Sequence, residues 1–475
     1  MDRFAATTLL VFLASLVCEA QSSAPGYSVR IPRAGIDAFL DGAAKEAEAD
    51  AAQHVFAVLT GAMSNITVDV KDMRISKYER PRITYTLQEP NKFLVKVNLP
   101  KIVIKGSVDL ARGTFASKEQ DKGNVEFIVT NTLVELSGTI GIFENGIPRV
   151  DQVDCKANSG PVNLTLQNFS KSFARDALTG IDKELRPTVA AYTCTVWTRL
   201  LAHNPSRLLA QFPNVLKFSE DVQLKGQIKP AFTQDSLKFS FFEKPITGLV
   251  SPRSPVMCDI NVAGSPQAVM AVSDALFDNA LYLAYKQGSL NFTFSPSSPP
   301  ALYKPLSLDC GESGVCLGNV DKKLPERFGK DALVEVQMKA PMAPTLEFKD
   351  GRATMTASWG ATLYITPNQK GAKRTLVASS AVTVGGSWQA KVQDSVAYAR
   401  VTIEDIKLKV DQPALQHWEQ GAKNLFKDIV QMYANDFLSK GMPVPSGLKI
   451  DNASIKFREH CMQALGDVNY KSNPQ

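Results

Sequence analysis

Seven cysteines and four histidines are the side chains of this 475-residue sequence best suited to covalent or metal chemistry. Cys18 falls in an N-terminal leader, which leaves six, an even number that suits disulfides in an oxidising compartment better than metal ligation. Cys155 and Cys194 stand alone in the first half, one after a β-like run and one inside a helical pattern, and read as a lone strand-to-helix staple. Four cysteines in the second half permit three pairings, of which Cys310 with Cys316 and Cys258 with Cys461 is the expected one. Cys310, Cys316 and His460 beside Cys461 match no usual zinc spacing, so no metal is expected. His54, His203, His417 and His460 accompany no Gly-X-Ser-X-Gly elbow. The run Asp309-Cys310-Gly311-Glu312-Ser313-Gly314 resembles a serine-protease nucleophile loop, but Ser313 lies between two cysteines without a placed base. No catalytic residue and no cofactor is assigned, and the chain is read as a non-enzyme.

The leader itself spans residues 1–20: Arg3, an apolar run from Ala5 to Val17, then Cys18-Glu19-Ala20 before Gln21. It has the form of a secretory signal and predicts a secreted, extracellular protein. Asn65, Asn163, Asn168, Asn291 and Asn452 each open an Asn-X-Ser/Thr sequon, as a glycoprotein would use. With 44% hydrophobic and 21% charged residues the chain is globular, and its length suits two domains. A net charge of +6 permits weak attraction to anionic surfaces and falls short of a nucleic-acid binder's footprint. No stretch after the leader is apolar enough to span a bilayer as a helix, so no transmembrane segment is expected.

The elements that must carry these residues come in the same order twice: an early helix, a block of alternating strands, and a long amphipathic helix leading back to strand. In the first half Ile36, Phe39, Leu40 and Ala43, continuing through Ala47 to Phe56, fit one helical face. Val95, Val97 and Leu99 alternate, and after Pro100 the phase shifts to Ile102, Ile104, Val108 and Leu110, which suggests a bulge or a barrel corner. Val125 to Leu136 alternates too. Phe169, Phe173, Ala177, Ile181 and Leu185 then read as a second helix with a kink at Pro187. In the second half Val269 to Tyr285 reads as the early helix. Met355 to Ile365 alternates, Val401 and Ile403 give way to Ile406, Leu408 and Val410, and Leu415, Trp418, Ala422, Leu425, Ile429 and Met432 form a closing apolar stripe. Proline-rich residues 244–256 separate a domain of 21–243 from one of 257–475.

The sequence resembles the family of bactericidal/permeability-increasing and lipopolysaccharide-binding proteins, which includes the plasma phospholipid and cholesteryl ester transfer proteins. Four features in order carry the resemblance over nearly the whole mature chain. They are Gly26-Tyr27-Ser28-Val29-Arg30-Ile31 with Gly35-Ile36-Asp37, the Cys155 and Cys194 pair, Asp274-Ala275-Leu276-Phe277-Asp278-Asn279-Ala280, and Gly447-Leu448-Lys449-Ile450. The resemblance implies an α+β fold of two similar barrel domains, each a twisted antiparallel sheet around long helices, joined by a central sheet into a boomerang. It further implies that Cys155 and Cys194 tie sheet to helix in the first barrel and that each domain holds lipid acyl chains in an apolar pocket.

An amphipathic helix laid on a curved sheet agrees with that implication, since it leaves an elongated apolar slot wherever side chains do not fill the space. Ile36, Phe39, Leu40, Phe173, Ala177 and Ile181 are the candidates to line the first. Leu276, Phe277, Ala280 and Leu281, facing Leu425, Ile429 and Met432, are the candidates for the second. For any one of these residues, plain core packing is the competing reading. Against the dense basic tip of lipopolysaccharide binders, Lys105, Arg112, Lys118 and Lys122 are interrupted by Asp109, Glu119 and Asp121. Lys71, Arg74, Lys77, Arg80 and Arg82 form the denser stretch, for which a solvated strand face is the favoured reading over contact with lipid head groups. The function expected is a secreted lipid-binding or lipid-transfer protein for phospholipid or another acyl lipid. Recognition of lipopolysaccharide or other anionic microbial lipids in innate, antibacterial defence is the finer expectation; a scaffold with closed pockets and a secreted hydrolase are the alternatives.

Overall fold

The computed structural model describes residues 24–469 apart from 64–65, 115–116, 143–146, 171–180, 210–213, 219–221, 245–252, 263–265, 312–315, 394–395, 413–414, 416–417, 440–441 and 444–448. The first half runs through β1 (Tyr27–Pro32), α1 (Arg33–Gln53), β2 (Leu59–Met63), β3 (Ile66–Tyr78), β4 (Arg82–Gln88), β5 (Lys92–Thr114), β6 (Ser117–Ile142), β7 (Pro148–Asn158) and β8 (Val162–Gln167). It continues with α2 (Ile181–Thr198), a π-helical turn (Arg199–His203), α3 (Asn204–Leu209), β9 (Val215–Lys217), β10 (Gln223–Thr233) and β11 (Ser236–Glu243). The second half opens with β12 (Ala268–Ser273), α4 (Asp274–Lys286), β13 (Phe292–Phe294), α5 (Pro300–Tyr303), α6 (Leu317–Val320) and α7 (Lys323–Phe328). It closes with β14 (Leu333–Lys339), β15 (Thr345–Lys349), β16 (Arg352–Thr366), β17 (Thr375–Gln393), β18 (Val396–Val410), α8 (Glu419–Ser439), β19 (Met442–Pro443), β20 (Lys449–Arg458) and β21 (Cys461–Asn469).

These strands make three seven-stranded antiparallel sheets, so the fold is α+β with two curled sheets and a third between them. β2–β8 build the first, β13–β19 the second, and the central sheet runs β20-β21-β12-β1-β11-β10-β9, drawing strands from both halves. The halves meet where β1 pairs with β12, Tyr27 opposite Val272 and Arg30 opposite Val269. Each sheet has its own buried apolar cluster, and Phe239 and Phe241, both fully buried, anchor the central one with Tyr27 stacked on Phe241 at 5.1 Å.

α1 packs on the first sheet through a stripe of small residues, Leu40, Ala43, Ala44, Ala47 and Ala51, at the three- and four-residue spacing of one helix face. Alanines bring helix and sheet backbones close together. Gly35 does the same at the helix start: a Cβ there would stand 2.1 Å from the Gln267 carbonyl oxygen, so only glycine lets α1 meet the strand of the other half.

The phase change at Pro100 is a corner and not a bulge against β6. Buried positions pass from Val97 and Leu99 to Ile102 and Ile104 on β5, and from Val129 to Val134 and Leu136 on β6. Register is continuous across it, Leu99 opposite Thr132 and Lys101 opposite Thr130. Both strands therefore turn over together, with Asn131 in the left-handed region at φ 53°. In the second half the phase change is a bulge: Gly385 opposes Asp405 and Gly386 opposes Ile403, leaving Glu404 extra.

Three helix boundaries differ from expectation. Val269–Ser273 is strand, paired to β1 on one side and β21 on the other, and α4 begins only at Asp274, where Ser273 Oγ accepts from the Ala275 N–H. An apolar run buried on both faces has no period to tell strand from helix, so the cap decides. Phe169 lies beyond the end of β8 and not on a helix; its ring crosses Gly123, where a Cβ would meet it at 2.5 Å. The second helix is described from Ile181, with Pro187 inside it. α1 ends at Gln53, so Phe56 follows the helix instead of closing it.

Candidate functional site

An apolar cavity of about 40 Å³ lies in the C-terminal domain between α8 and the sheet. Leu306 and Leu317 wall one side, Trp418, which directly precedes α8, with Ala422 and Leu425 of α8 forms the roof, and Leu363, Ala378 and Leu408 form the floor. Ser380 is the sole hydroxyl among its lining residues. A water needs roughly 10–15 Å³ of such space, so the cavity is a narrow fissure that an acyl chain would have to widen.

The roof helix is pinned by polar contacts at both ends. Trp418 Nε1 donates to Asp321 Oδ2 at 2.8 Å beside α8's start. Towards its other end, Asn435 Oδ1 and Gln431 Oε1 accept from the β18 N–H groups of Val401 and Ile403 at 2.9 and 3.3 Å. Those amides cover strand N–H groups that an edge would otherwise expose. Between the pins, among the described residues, Ala422 and Leu425 hold the roof down by apolar packing.

In the first domain Leu40 and Ile181 share one buried cluster, with Ile36 and Phe39 packed at its margin. Phe173 and Ala177 lie outside the described residues. The disulfide Cys155–Cys194 joins β7 to α2 beside this cluster, with Cα atoms 5.9 Å apart. On the same wall the Tyr192 hydroxyl is enclosed without a hydrogen-bond partner, and burial pushes its pKa above the usual phenol range. His54 stacks on that ring at 4.1 Å, and burial pulls the imidazole pKa down.

The facing helices expected in the second domain are not brought together. Leu276 and Ala280 are buried with the central sheet, Phe277 and Leu281 half-buried beside them, while Leu425 belongs to the cavity cluster. Phe277 contacts Phe348 and Trp388 edge-on at 5.8 and 6.5 Å. α4 starts from a central strand and leans on that sheet, so its apolar face is spent there. Met432 is half-buried on α8, and the Ile429 side chain is outside what is described.

The carboxylates of α4 form a network that sequence reasoning passed over. Asp274 is fully buried; its Oδ2 takes the Arg253 guanidinium at 3.2 Å and the Phe348 N–H at 3.2 Å, with His460 Nδ1 3.0 Å away. Asp278 takes the Leu346 N–H at 2.7 Å and Arg253 at 3.2 Å, and burial raises its pKa against those two contacts. His460 Nδ1 also lies 2.6 Å from Arg253 Nη2, and one ring nitrogen cannot accept from Arg253 and donate to Asp274 at once. Glu243 Oε2 accepts from Asn279 Nδ2 at 2.8 Å, while Glu243 Oε1 and Asn279 Oδ1 are buried without partners. The signal in the sequence was Asp274 and Asp278 one turn apart at a helix start; their partners come from elsewhere in the chain.

Arg253, placed in the linker by the sequence, is thus docked on α4; residues 245–252 lie outside the described residues. The structure joins Cys258 to Cys461 and Cys310 to Cys316. Ser313 and His417 are outside the described residues, and Cys461 beside His460 is oxidised. In the basic stretch Lys71 pairs with Asp109 at 2.9 Å, Lys77 with Glu79 at 3.3 Å, and Arg80 with Asp41. Lys105 pairs with Glu126 at 3.3 Å and Lys122 with Asp109 at 3.4 Å. The Lys118 side chain is not described.

A family model for the C-terminal domain of the LBP / BPI / CETP family matches residues 253–470. The crystal structure of lipopolysaccharide binding protein aligns with a TM-score of 0.58 at 12% identity, covering 94% of this chain and 100% of that one. That likeness shows the fold. P47 of Clostridium botulinum E1 aligns at TM-score 0.29 and 10% identity over 94% of this chain and 99% of that one. Epiphyas postvittana Takeout 1 aligns at TM-score 0.20 and 13% identity over 34% of this chain and 84% of its own. Neither score is high enough to carry an argument. No curated protein matches the sequence.

Proposed function

We infer that this chain, whose residues 253–470 belong to the LBP / BPI / CETP family, is a lipid-binding protein that holds acyl chains between helix and curled sheet. The observation that carries this is the apolar fissure under α8, roofed by a helix held at its ends and lined by one hydroxyl among apolar groups. Burial of one sixteen-carbon chain at ~0.8 kcal/mol per methylene releases on the order of 10 kcal/mol gross, enough to offset repacking of a few roof side chains. In the first domain the enclosed Tyr192 hydroxyl is where a polar atom of a ligand would find a partner. Ile36, Phe39, Leu40 and Ile181 remain the proposed lining there.

The finer reading is a secreted glycoprotein that binds or transfers phospholipid, with domains at 21–243 and 257–475 on either side of the 244–256 linker. Three disulfides and the leader support secretion. Asn163, Asn168 and Asn291 are exposed and open to a glycan; Asn65 is outside the described residues, as is the Asn452 side chain. Preference for lipopolysaccharide or other anionic lipid is supported by the +6 net charge, and weakened by the ion pairs that engage Lys71, Lys77 and Arg80. A transfer or binding role needs no catalytic group. The small size of the fissure favours the second reading, a secreted scaffold with closed domains.

Native mass spectrometry of the purified protein, followed by lipid extraction, separates the two. Recovery of phospholipid or fatty acid is expected. Protein free of lipid, which also takes up none from phosphatidylcholine vesicles, would overturn the lipid-binding reading.

A further inference from the structure

We propose that the far end of the C-terminal sheet is a docking face for an anionic lipid surface. Leu333 on β14 and Leu376 on β17 are 46% and 52% exposed. They flank β16, Leu333 opposite Thr366 and Leu376 opposite Tyr364, so they stand roughly 12 Å apart on neighbouring pleats. Asn368 Nδ2 donates to Asp331 Oδ2 at 3.1 Å, which ties the β16–β17 hairpin to the turn after α7 and makes one surface of two segments.

That surface is cationic. Exposed Lys322, Lys323, Arg327 and Lys330 come from α7 and its flanks, and Lys370, Lys373 and Arg374 from the hairpin, seven in all against the four carboxylates Asp321, Glu326, Asp331 and Glu335. Arg374 pairs with Glu335, which leaves six cations against Asp321, Glu326 and Asp331; Asp321 and Asp331 accept neutral hydrogen bonds from Trp418 and Asn368. Arg374 also lies over the Tyr364 ring at 3.5 Å, which holds the guanidinium between the two leucines.

Charge complementarity selects the occupant. Lysine is depleted at protein interfaces, where a long side chain must be immobilised and desolvated, whereas a lipid headgroup layer meets lysines in water and takes isolated leucines into its acyl boundary. The position agrees: Leu363 and Ala378, paired across β16 and β17, line the fissure, and Leu376 is about 7 Å further along its strand. Docking by this end sets the lined interior beside the bilayer. The proposal extends the lipid-holding reading and is tested apart from it.

Co-sedimentation of the full mature chain with vesicles of phosphatidylcholine alone, and of equimolar phosphatidylcholine and phosphatidylserine, tests it. Tighter binding to the anionic vesicles, weakened by salt, is expected. Lys370→Glu with Lys373→Glu should weaken it roughly tenfold or more. Leu333→Ser with Leu376→Ser should weaken it roughly tenfold with the salt dependence retained. Equal binding to both vesicles, or both double variants binding like wild type, overturns the docking face. Wild type that carries lipid in the mass spectrometer yet does not sediment overturns docking alone; wild type that sediments yet never yields lipid overturns the lipid-holding reading alone.

Discussion

Glu243 sets the clearest expectation at the level of single residues. Burial raises its pKa above the ordinary carboxylate range, opposed only by the Asn279 amide, so the folded protein holds the proton more tightly than the unfolded chain. A carboxyl of that kind makes stability fall as pH rises above its unfolded pKa and through its folded one. A protonated Glu243 would donate to Asn279 Oδ1 and satisfy both lone oxygens. Glu243→Gln should therefore raise stability at mildly alkaline pH by about 1 kcal/mol and flatten the pH slope, read from urea midpoints across pH. Arg253 works in the opposite sense: it neutralises two buried carboxylates, and Arg253→Met should cost about 3–5 kcal/mol, since both charges would stay buried without it. Chemical denaturation of the two proteins measures the difference.

Among the elements, α8 and α1 do different work. α8 roofs a fissure and is fixed mainly at its ends, so Gln431→Ala with Asn435→Ala removes two acceptors for β18 and should cost about 1–3 kcal/mol while speeding lipid exchange. Stopped-flow transfer of a fluorescent phospholipid gives the rate; an unchanged rate would show that the roof does not gate entry. Leu425→Ala should enlarge the fissure and cost about 2–5 kcal/mol in a lipid-free preparation. α1 is held by close approach instead. Gly35→Ala would drive a Cβ into the Gln267 carbonyl, a backbone atom that cannot swing aside, and should cost about 1–3 kcal/mol by thermal denaturation.

Across the whole molecule, two disulfides constrain very different lengths of chain. Cys155–Cys194 closes 39 residues within one domain, and Cys258–Cys461 closes 203 residues, tying the start of the second half to the last central strand. On loop-closure entropy alone, losing the longer link should cost about 1.5 kcal/mol more than losing the shorter. Paired Cys→Ala variants compared by denaturant midpoint test that order. The longer link also sits beside His460 and the Asp274 network, so its loss should loosen the second half's grip on the central sheet.

Local chemistry along the chain was enough to set the repeated helix, sheet and helix order, the alternation of Met355 to Ile365, the phase change near Glu404 and the apolar stripe through Trp418, Ala422 and Leu425. Those features depend on period and caps, which are written residue by residue. Tertiary contact decided the rest. Val269 to Ser273 became strand because β1 and β21 stand on either side of it, and Leu276 and Ala280 turned to the central sheet because α4 leaves from that strand. Asp274 and Asp278 acquired partners from Arg253, Leu346, Phe348 and His460, residues up to 186 positions away. Spacing along a chain records which face a side chain takes, but not which distant segment will be waiting on that face.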